Sequence, residues 1–524
     1  ADLLIQLGRL PEAERVLVML KEEEFSGFIR RDAGQVGPAA PMPKTSTEAG
    51  LMDRDASLAA QAAAVGVRWR ELHEKGAARR TADENAEFRQ LKERRENLAQ
   101  NYNRFLAELR SELGTQREDK VREIAEAEAL QSLLLEMRRS GAGEAAVLYT
   151  LVAETNYRVI VITADSTLDF KTPIAATNLN LKVAQFRNVL SDDRRLPDPL
   201  PAAQELYRII FCNGDVDAAL KAAKVETVMW SLDGTLRYLP MAALHDGKGY
   251  IAERYRNVVI TPASIARLER KPQPSWAGLG LGVSKAHEVK LEHRPGNVER
   301  IKFSPLSEVP VELRGIIRDE TVGSAGAVSG RIMLDGQFTE ATLRDALEER
   351  YQLVHIASHF YFRPGDETSS FLLLGDGNPL NVSQLKNFRN LFESVNLLTL
   401  SACETAVGGA DENDGANGAE VDSFGELAQR KGAAAIVATL WPVNDESTSL
   451  LMREFYRLRQ TNPAWTKAEA LRQAQLKLLR GNVKPTQSST RRAAILADDP
   501  GAKPSPDFTH PYFWAPFVLT GNWQ

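Results

Sequence analysis

The sequence predicts an α/β fold: a mostly parallel sheet flanked by helices on both faces, preceded by an all-α N-terminal region. Three observations carry this. From residue 339 onward, short apolar runs alternate with helix-period segments, the pattern of parallel crossovers. The runs at 353–356, 397–400 and 433–441 are almost continuously apolar, as strands covered on both faces must be. Residues 53–140, by contrast, are dense in Glu, Arg and Lys, with Leu91, Leu98, Tyr102, Phe105 and Leu109 at helical spacing.

A chain of 524 residues exceeds one ordinary domain, and 43% hydrophobic with 26% charged residues is a globular composition. The net charge of -5 removes any global electrostatic case for binding nucleic acid, and a basic partner peptide fits better. No apolar run approaches the roughly 18 residues of a membrane span. The first twenty residues are amphipathic and charged throughout, so neither a span nor a signal peptide is expected. The two cysteines, Cys212 and Cys403, do not suggest a staple, and this usage reads as cytoplasmic.

Taken in order, residues 1–31 read as helix, turn and helix, with the small residues Gly8 and Ala13 where the two helices would touch. This resembles the end of a tetratricopeptide repeat array, which implies that earlier repeats or a neighbouring surface cover its apolar face. Residues 32–52 are rich in Pro, Gly and Ala and read as a linker. Across 53–140 two or three long antiparallel helices are expected, broken near Gly76 and Gly114.

At 145 the texture changes, and 145–270 is read as one half of an α/β domain and 271–524 as the other. Strands are expected at 146–152 and 157–163, helices at 176–192 and 200–224, and two strands at 225–240 around Asp233-Gly234. The glycine-spaced strand 278–282 lacks the helix and the later acidic residue of a dinucleotide fingerprint. A polar, looped insertion is expected over 286–335. There follow helix 339–350, strand 352–357, a hairpin 371–380 turning at Asp376-Gly377, helix 382–391 and strand 395–402. Helix 422–431, strand 433–441, helices 446–460 and 466–479, a flexible stretch 482–508 and a closing strand 512–519 complete the chain.

Ligands of such sheets bind beyond the carboxyl ends of the strands. Two apolar runs end there on reactive side chains: Leu353-Val-His-Ile-Ala-Ser-His359, and Leu397-Leu-Thr-Leu-Ser-Ala-Cys403 forty-four residues on. A cysteine nucleophile needs an imidazole to raise its thiolate fraction and then protonate the leaving amine. If the two strands are parallel neighbours, thiol and imidazole meet above the sheet. His355, in mid-strand, fits a core role, and Cys212, at a helix end, a structural one. This chemistry calls for no cofactor and no metal.

The segments Val354-His-Ile-Ala-Ser-His359, Leu400-Ser-Ala-Cys-Glu-Thr-Ala-Val-Gly-Gly409, Val437-Ala-Thr-Leu-Trp-Pro-Val-Asn-Asp445 and Pro511-Tyr-Phe-Trp-Ala-Pro-Phe-Val-Leu-Thr-Gly521 resemble the CHAT domain. This is a caspase-like family related to separases and often found behind tetratricopeptide repeats. The resemblance runs from about 145 to the C-terminus. It implies a caspase-like sheet and cysteine endopeptidase activity, with the dyad on His359 and Cys403, in the order and approximate spacing of caspases. It also implies an oxyanion hole of backbone N–H groups, here those of Cys403 and Phe360. Caspases place Gly after the catalytic His, and this chain has Phe360.

Trp441-Pro-Val-Asn-Asp445 resembles the separase segment whose last Asp binds an arginine at the cleavage position, which makes Asp445 a substrate-binding candidate. The alternative is that Asp445 caps the helix beginning at 446. Residues 404–429 carry seven acidic side chains, Glu404, Asp411, Glu412, Asp414, Glu420, Asp422 and Glu426, and no Lys or Arg. They suit attraction of a basic peptide, or else a solvated loop. Arg491-Arg492 is the better self-processing site for an Arg-specific enzyme. The expected partners are a protein substrate and an activating partner at the N-terminal helices. By resemblance, a bacterial defence or cell-death setting would make a gasdermin or a guide-RNA effector candidates. The alternative from another class is a catalytically silent scaffold.

Overall fold

The computed structural model describes residues 1–6, 10, 13–21, 65, 68, 72, 75, 79–94, 97, 126–270, 273, 275–294, 297–361, 370–388, 391–401, 426–441, 443, 445–483 and 508–524. The linker 32–52, the helix break at Gly114, Cys403 and Arg491-Arg492 lie outside them. No described helix is long and apolar enough to cross a membrane.

One twelve-stranded sheet dominates. It begins with β1 (Ala145–Val152), β2 (Tyr157–Ile162) and β3 (Thr167–Thr172), an antiparallel meander, followed by β4 (Thr227–Ser231) and β5 (Arg256–Val259). Next come β6 (Gly278–Gly282), a hairpin of β7 (His287–Arg294) and β8 (Asn297–Phe303), β9 (Ile317–Arg318), β10 (Val328–Leu334) and β11 (Leu353–Ala357). β12 (Phe360–Tyr361), β13 (Phe371–Leu373) and β14 (Pro379–Asn381) form a small sheet of their own. β15 (Leu397–Ser401), β16 (Ala435–Thr439) and β17 (Phe517–Gly521) complete the large one. Its spatial order is β3-β2-β1-β4-β5-β17-β16-β15-β11-β6-β10-β9. Because β17 pairs with both β16 and β5, the sheet runs unbroken from the 145–270 half into the 271–524 half.

Helices cover both faces: α1 (Glu126–Arg139), α2 (Ala176–Ser191), α3 (Leu200–Ile210), α4 (Asp215–Ala222), α5 (Val309–Ile316), α6 (Glu340–Glu348), α7 (Val382–Asn387), α8 (Asp445–Thr461) and α9 (Lys467–Leu479). The period-2 geometry of a strand sends alternate side chains to opposite faces. Leu353, Ala357, Leu397, Ala435 and Val437 therefore join one core with α5, α8 and α9. Val354, Ile356, Leu398, Leu400 and Ile436 join the other, with Leu343 of α6 and Leu385 of α7. Burial on both faces explains the unbroken apolar runs in the sequence.

The expected α/β class holds, with four local corrections. Residues 200–224 are two helices, because Cys212 and Asn213 take left-handed backbone angles, φ 48° and 57°, that break the first. Residues 225–240 give one strand and a 3₁₀ turn, Gly234–Tyr238, since Asp233 turns away to accept from the Val152 N–H at 2.7 Å. Residues 286–335 are the β7–β8 hairpin, α5, β9 and β10 in place of a loop. The closing segment is a helical turn, Pro511–Trp514, followed by β17.

The glycines of β6 seat a helix: a Cβ at Gly282 would stand 2.6 Å from Val309 and 2.7 Å from Leu313, both on α5. At the N-terminus, Ile5, Ala13 and Leu17 are buried in the first core. Asp2 pairs with Arg158 of β2, and Lys21 Nζ donates to the Leu232 carbonyl. The N-terminal helical stretches thus rest on the β1–β5 half of the sheet. Arg68 pairs with Glu87 at 2.8 Å and Lys75 with Glu84 at 2.5 Å, two nested pairs across the turn at 79–80.

Candidate active site

β11 and β15 are parallel neighbours. Their pairing runs Leu353 with Leu397, His355 with Thr399 and Ala357 with Ser401, a constant offset of 44 residues. The same offset separates His359 from Cys403 in the sequence. β11 leads to His359, and β15, in the same direction, ends at Ser401, the last described residue of this stretch.

His359 follows Ala357-Ser358 at the carboxyl edge and is 6% exposed. Its loop is anchored to β13: Leu373 N–H donates to the His359 carbonyl at 2.9 Å, and Ser358 Oγ to the Leu373 carbonyl at 2.6 Å. The ring packs against Phe303, centroids 5.0 Å apart, and Phe303 in turn meets Phe371 edge-on at 6.0 Å. His359 Nε2 is 2.8 Å from the Ser304 carbonyl oxygen. A carbonyl only accepts, so Nε2 carries the proton, and in the neutral ring the lone pair then sits on Nδ1. Ser304, which sets this tautomer, lies within 286–335, where the sequence predicts a loop.

Phe360 opens β12, pairs with Leu372 and is 2% exposed. Asp445 opens α8, one residue before the helix start expected from sequence. Ahead of it, Trp441 is buried and its indole N–H donates to the Tyr512 carbonyl at 3.3 Å. Of the acidic run 404–429, Glu426 does not belong to a solvated loop: it lies in a helical turn at 426–430, is 3% exposed, and pairs with Arg430 at 2.6 Å. The other six acidic residues lie outside the described residues.

Cys212 is the other thiol of the chain, and it is remote from this edge. Burial among α3 and β-strand side chains pushes its pKa up to about 11, so it stays a thiol at neutral pH. His355, as expected, is a core residue, fully buried, but it is hydrogen-bonded at both ring nitrogens, to Glu312 and Tyr456. No group of acidic, His and Cys residues arranged for a metal occurs among the described residues.

A profile of the CHAT domain matches residues 200–522, a span that includes His359, Cys403 and Asp445. The chain belongs to the CHAT domain family. The CHAT match begins at α3, so β1 to β3 precede it although they continue the same sheet. Among solved structures, the Arg-specific cysteine proteinase gingipain R is similar at 13% identity and a TM-score of 0.34, over 66% of this chain and 75% of that one. The Saccharomyces cerevisiae separase in complex with securin is similar at 9% identity and a TM-score of 0.45, over 77% of this chain and 31% of that one. A complex of the Porphyromonas gingivalis RgpB pro- and mature domains gives 11% identity and a TM-score of 0.35, over 66% and 76%. No curated protein matches the chain.

Proposed function

We propose that this CHAT protein is a caspase-like cysteine endopeptidase with His359 and Cys403 as its dyad. The observation that supports the reading is the constant 44-residue offset of the β11–β15 register, the same offset that separates His359 from Cys403 in the sequence: if it continued two residues past Ala357 and Ser401, it would bring the two together. The tautomer of His359 adds support. With Nε2–H held by Ser304, Nδ1 accepts the thiol proton, and the thiolate attacks the scissile carbonyl. The resulting imidazolium protonates the departing amine, and water then hydrolyses the thioester, returning the thiol. The backbone N–H groups of Cys403 and Phe360 would hold the oxyanion.

A substrate arginine would be bound by Asp445. It stands at the N-terminus of α8, directly after β16, the strand next to the one leading to Cys403, where a carboxylate is also favoured by the helix dipole. The substrate class is then a protein cut after a basic residue. The N-terminal helices, resting on the other half of the sheet, are where a regulatory partner would act.

The test is cleavage of an Arg-containing peptide reporter by the full chain. Cys403→Ala is expected to abolish it with the circular dichroism spectrum unchanged; full residual activity would return the domain to the scaffold reading. Asp445→Ala is expected to remove most of the preference for Arg over neutral residues. An unchanged cleavage profile would leave Asp445 as a helix-start residue only.

A further inference from the structure

Beneath the candidate dyad lies a chain of hydrogen bonds that the dyad chemistry does not use. Its hub is the Tyr456 hydroxyl, 2.5 Å from Thr399 Oγ1 and 3.1 Å from His355 Nδ1. His355 Nε2 in turn lies 2.8 Å from Glu312 Oε1. Tyr456, Thr399 and His355 are wholly buried and Glu312 is 3% exposed. A carboxylate at one end and a neutral imidazole next to it together set the polarity. Nε2–H donates to Glu312, Nδ1 accepts from the Tyr456 hydroxyl, and the Tyr456 oxygen accepts from the Thr399 hydroxyl.

These four residues sit on four elements: Glu312 on α5, His355 on β11, Thr399 on β15 and Tyr456 on α8. β11 leads to His359, β15 leads toward Cys403, and α8 starts at Asp445. His355 and Thr399 are direct partners in the β11–β15 register, so the Tyr456 hydroxyl closes a bridge over that pair from the helix above. At about 3.3 Å per residue the pair stands about 7 Å below Ala357 and Ser401, the last residues of the two strands, and so lies within the core, short of the carboxyl edge. An apolar core would fill the same space without the cost of desolvating these groups, and the best-attested use of such buried polar contacts is to fix register.

Resting on the dyad reading, we propose that the Tyr456 hydroxyl is a positioning group. It locks β11 against β15 and α8, so that His359 and Cys403 stand at the separation where the imidazole stabilises the thiolate. Loosening this brace leaves both reactive groups present and lowers the thiolate fraction.

Two conservative variants isolate it. Tyr456→Phe keeps the ring against Phe455, centroids 4.8 Å apart, and removes only the hydroxyl. Thr399→Val removes its hydrogen-bond partner at nearly the same volume. The measurement is the pH dependence of Cys403 alkylation by iodoacetamide in the full chain, localised by mass spectrometry, beside a thermal melt. The wild type is expected to show a midpoint below the ordinary thiol value of about 8.5. Both variants are expected to raise it by about one unit, a tenfold loss of thiolate on the acid side, with the fold intact.

Midpoints equal to the wild type in both variants would overturn the positioning role and leave the dyad standing. A wild-type midpoint near 8.5 would overturn the dyad reading and this one with it. If Tyr456→Phe fails to fold, Thr399→Val alone decides. On the peptide reporter the same loosening is expected to lower kcat about tenfold with KM unchanged, and a change confined to KM counts against it.

Discussion

His355 and His359 stand four residues apart along one path of chain, share the same side-chain parity, and are both buried, yet their surroundings differ in kind. His355 is held in mid-strand by side chains from two other elements, its ring nitrogens engaged by Glu312 of α5 and Tyr456 of α8. His359 emerges at the strand's end, where the Ser304 carbonyl holds Nε2 and the Phe303 ring holds the plane. A histidine saturated at both nitrogens within the core stabilises the fold, whereas one oriented by a backbone carbonyl at a sheet edge has the setting that the proposed base role needs. The residue type is identical; the position on the strand decides.

Substitution separates the two roles. His359→Ala is expected to reduce kcat/KM on an Arg reporter by about a thousandfold or more while changing stability by less than about 1 kcal/mol. His355→Leu is expected to do the reverse in the first instance. It strands the Glu312 carboxylate in the core and costs about 3–5 kcal/mol, read as a lower unfolding midpoint in denaturant. A stable, fully folded His355→Leu protein would erase the contrast.

A smaller effect tests the floor under both histidines. Gly282→Ala places a Cβ within 2.6 Å of Val309, 2.7 Å of Leu313 and 2.9 Å of Leu334. It is expected to push α5, which carries Glu312, off the sheet at about 1–3 kcal/mol. Gly280→Ala, whose Cβ would meet its nearest neighbours at 3.2 and 3.3 Å, is expected to cost less, and equal costs would say that α5 is not the constraint.

The smallest expected effect concerns the thiols. With its pKa near 11, Cys212 is expected to remain unmodified by iodoacetamide at pH 7.5 while Cys403 is labelled. Labelling of Cys212 in the folded chain would remove the distinction.

Much of the carboxyl half was legible. Leu353-Val-His-Ile and Leu397-Leu-Thr-Leu read as strands covered on both faces, and they are, because alternate residues enter separate cores. Their parallel adjacency was an assumption in the sequence and is a residue-by-residue register in the fold. The hairpin before α5 was missed because charged residues dominate it. Its signal was present in Val289 and Leu291 alternating with polar neighbours, and in Pro295-Gly296 as a turn. The break at Cys212-Asn213 gave no warning, since nothing local demands left-handed angles of a cysteine; packing imposes them.

What the sequence determined by itself is therefore what periodicity and residue chemistry encode: an α/β sheet buried on both faces, and a His and a Cys placed two residues past matched strand ends. What only the tertiary structure decided is which groups from distant parts of the chain meet those strands. Ser304 reaches His359 across 55 residues, and Tyr456 reaches His355 across 101. Such contacts depend on how crossovers stack around the sheet, and no local pattern at position 304 or 456 records which histidine stands opposite.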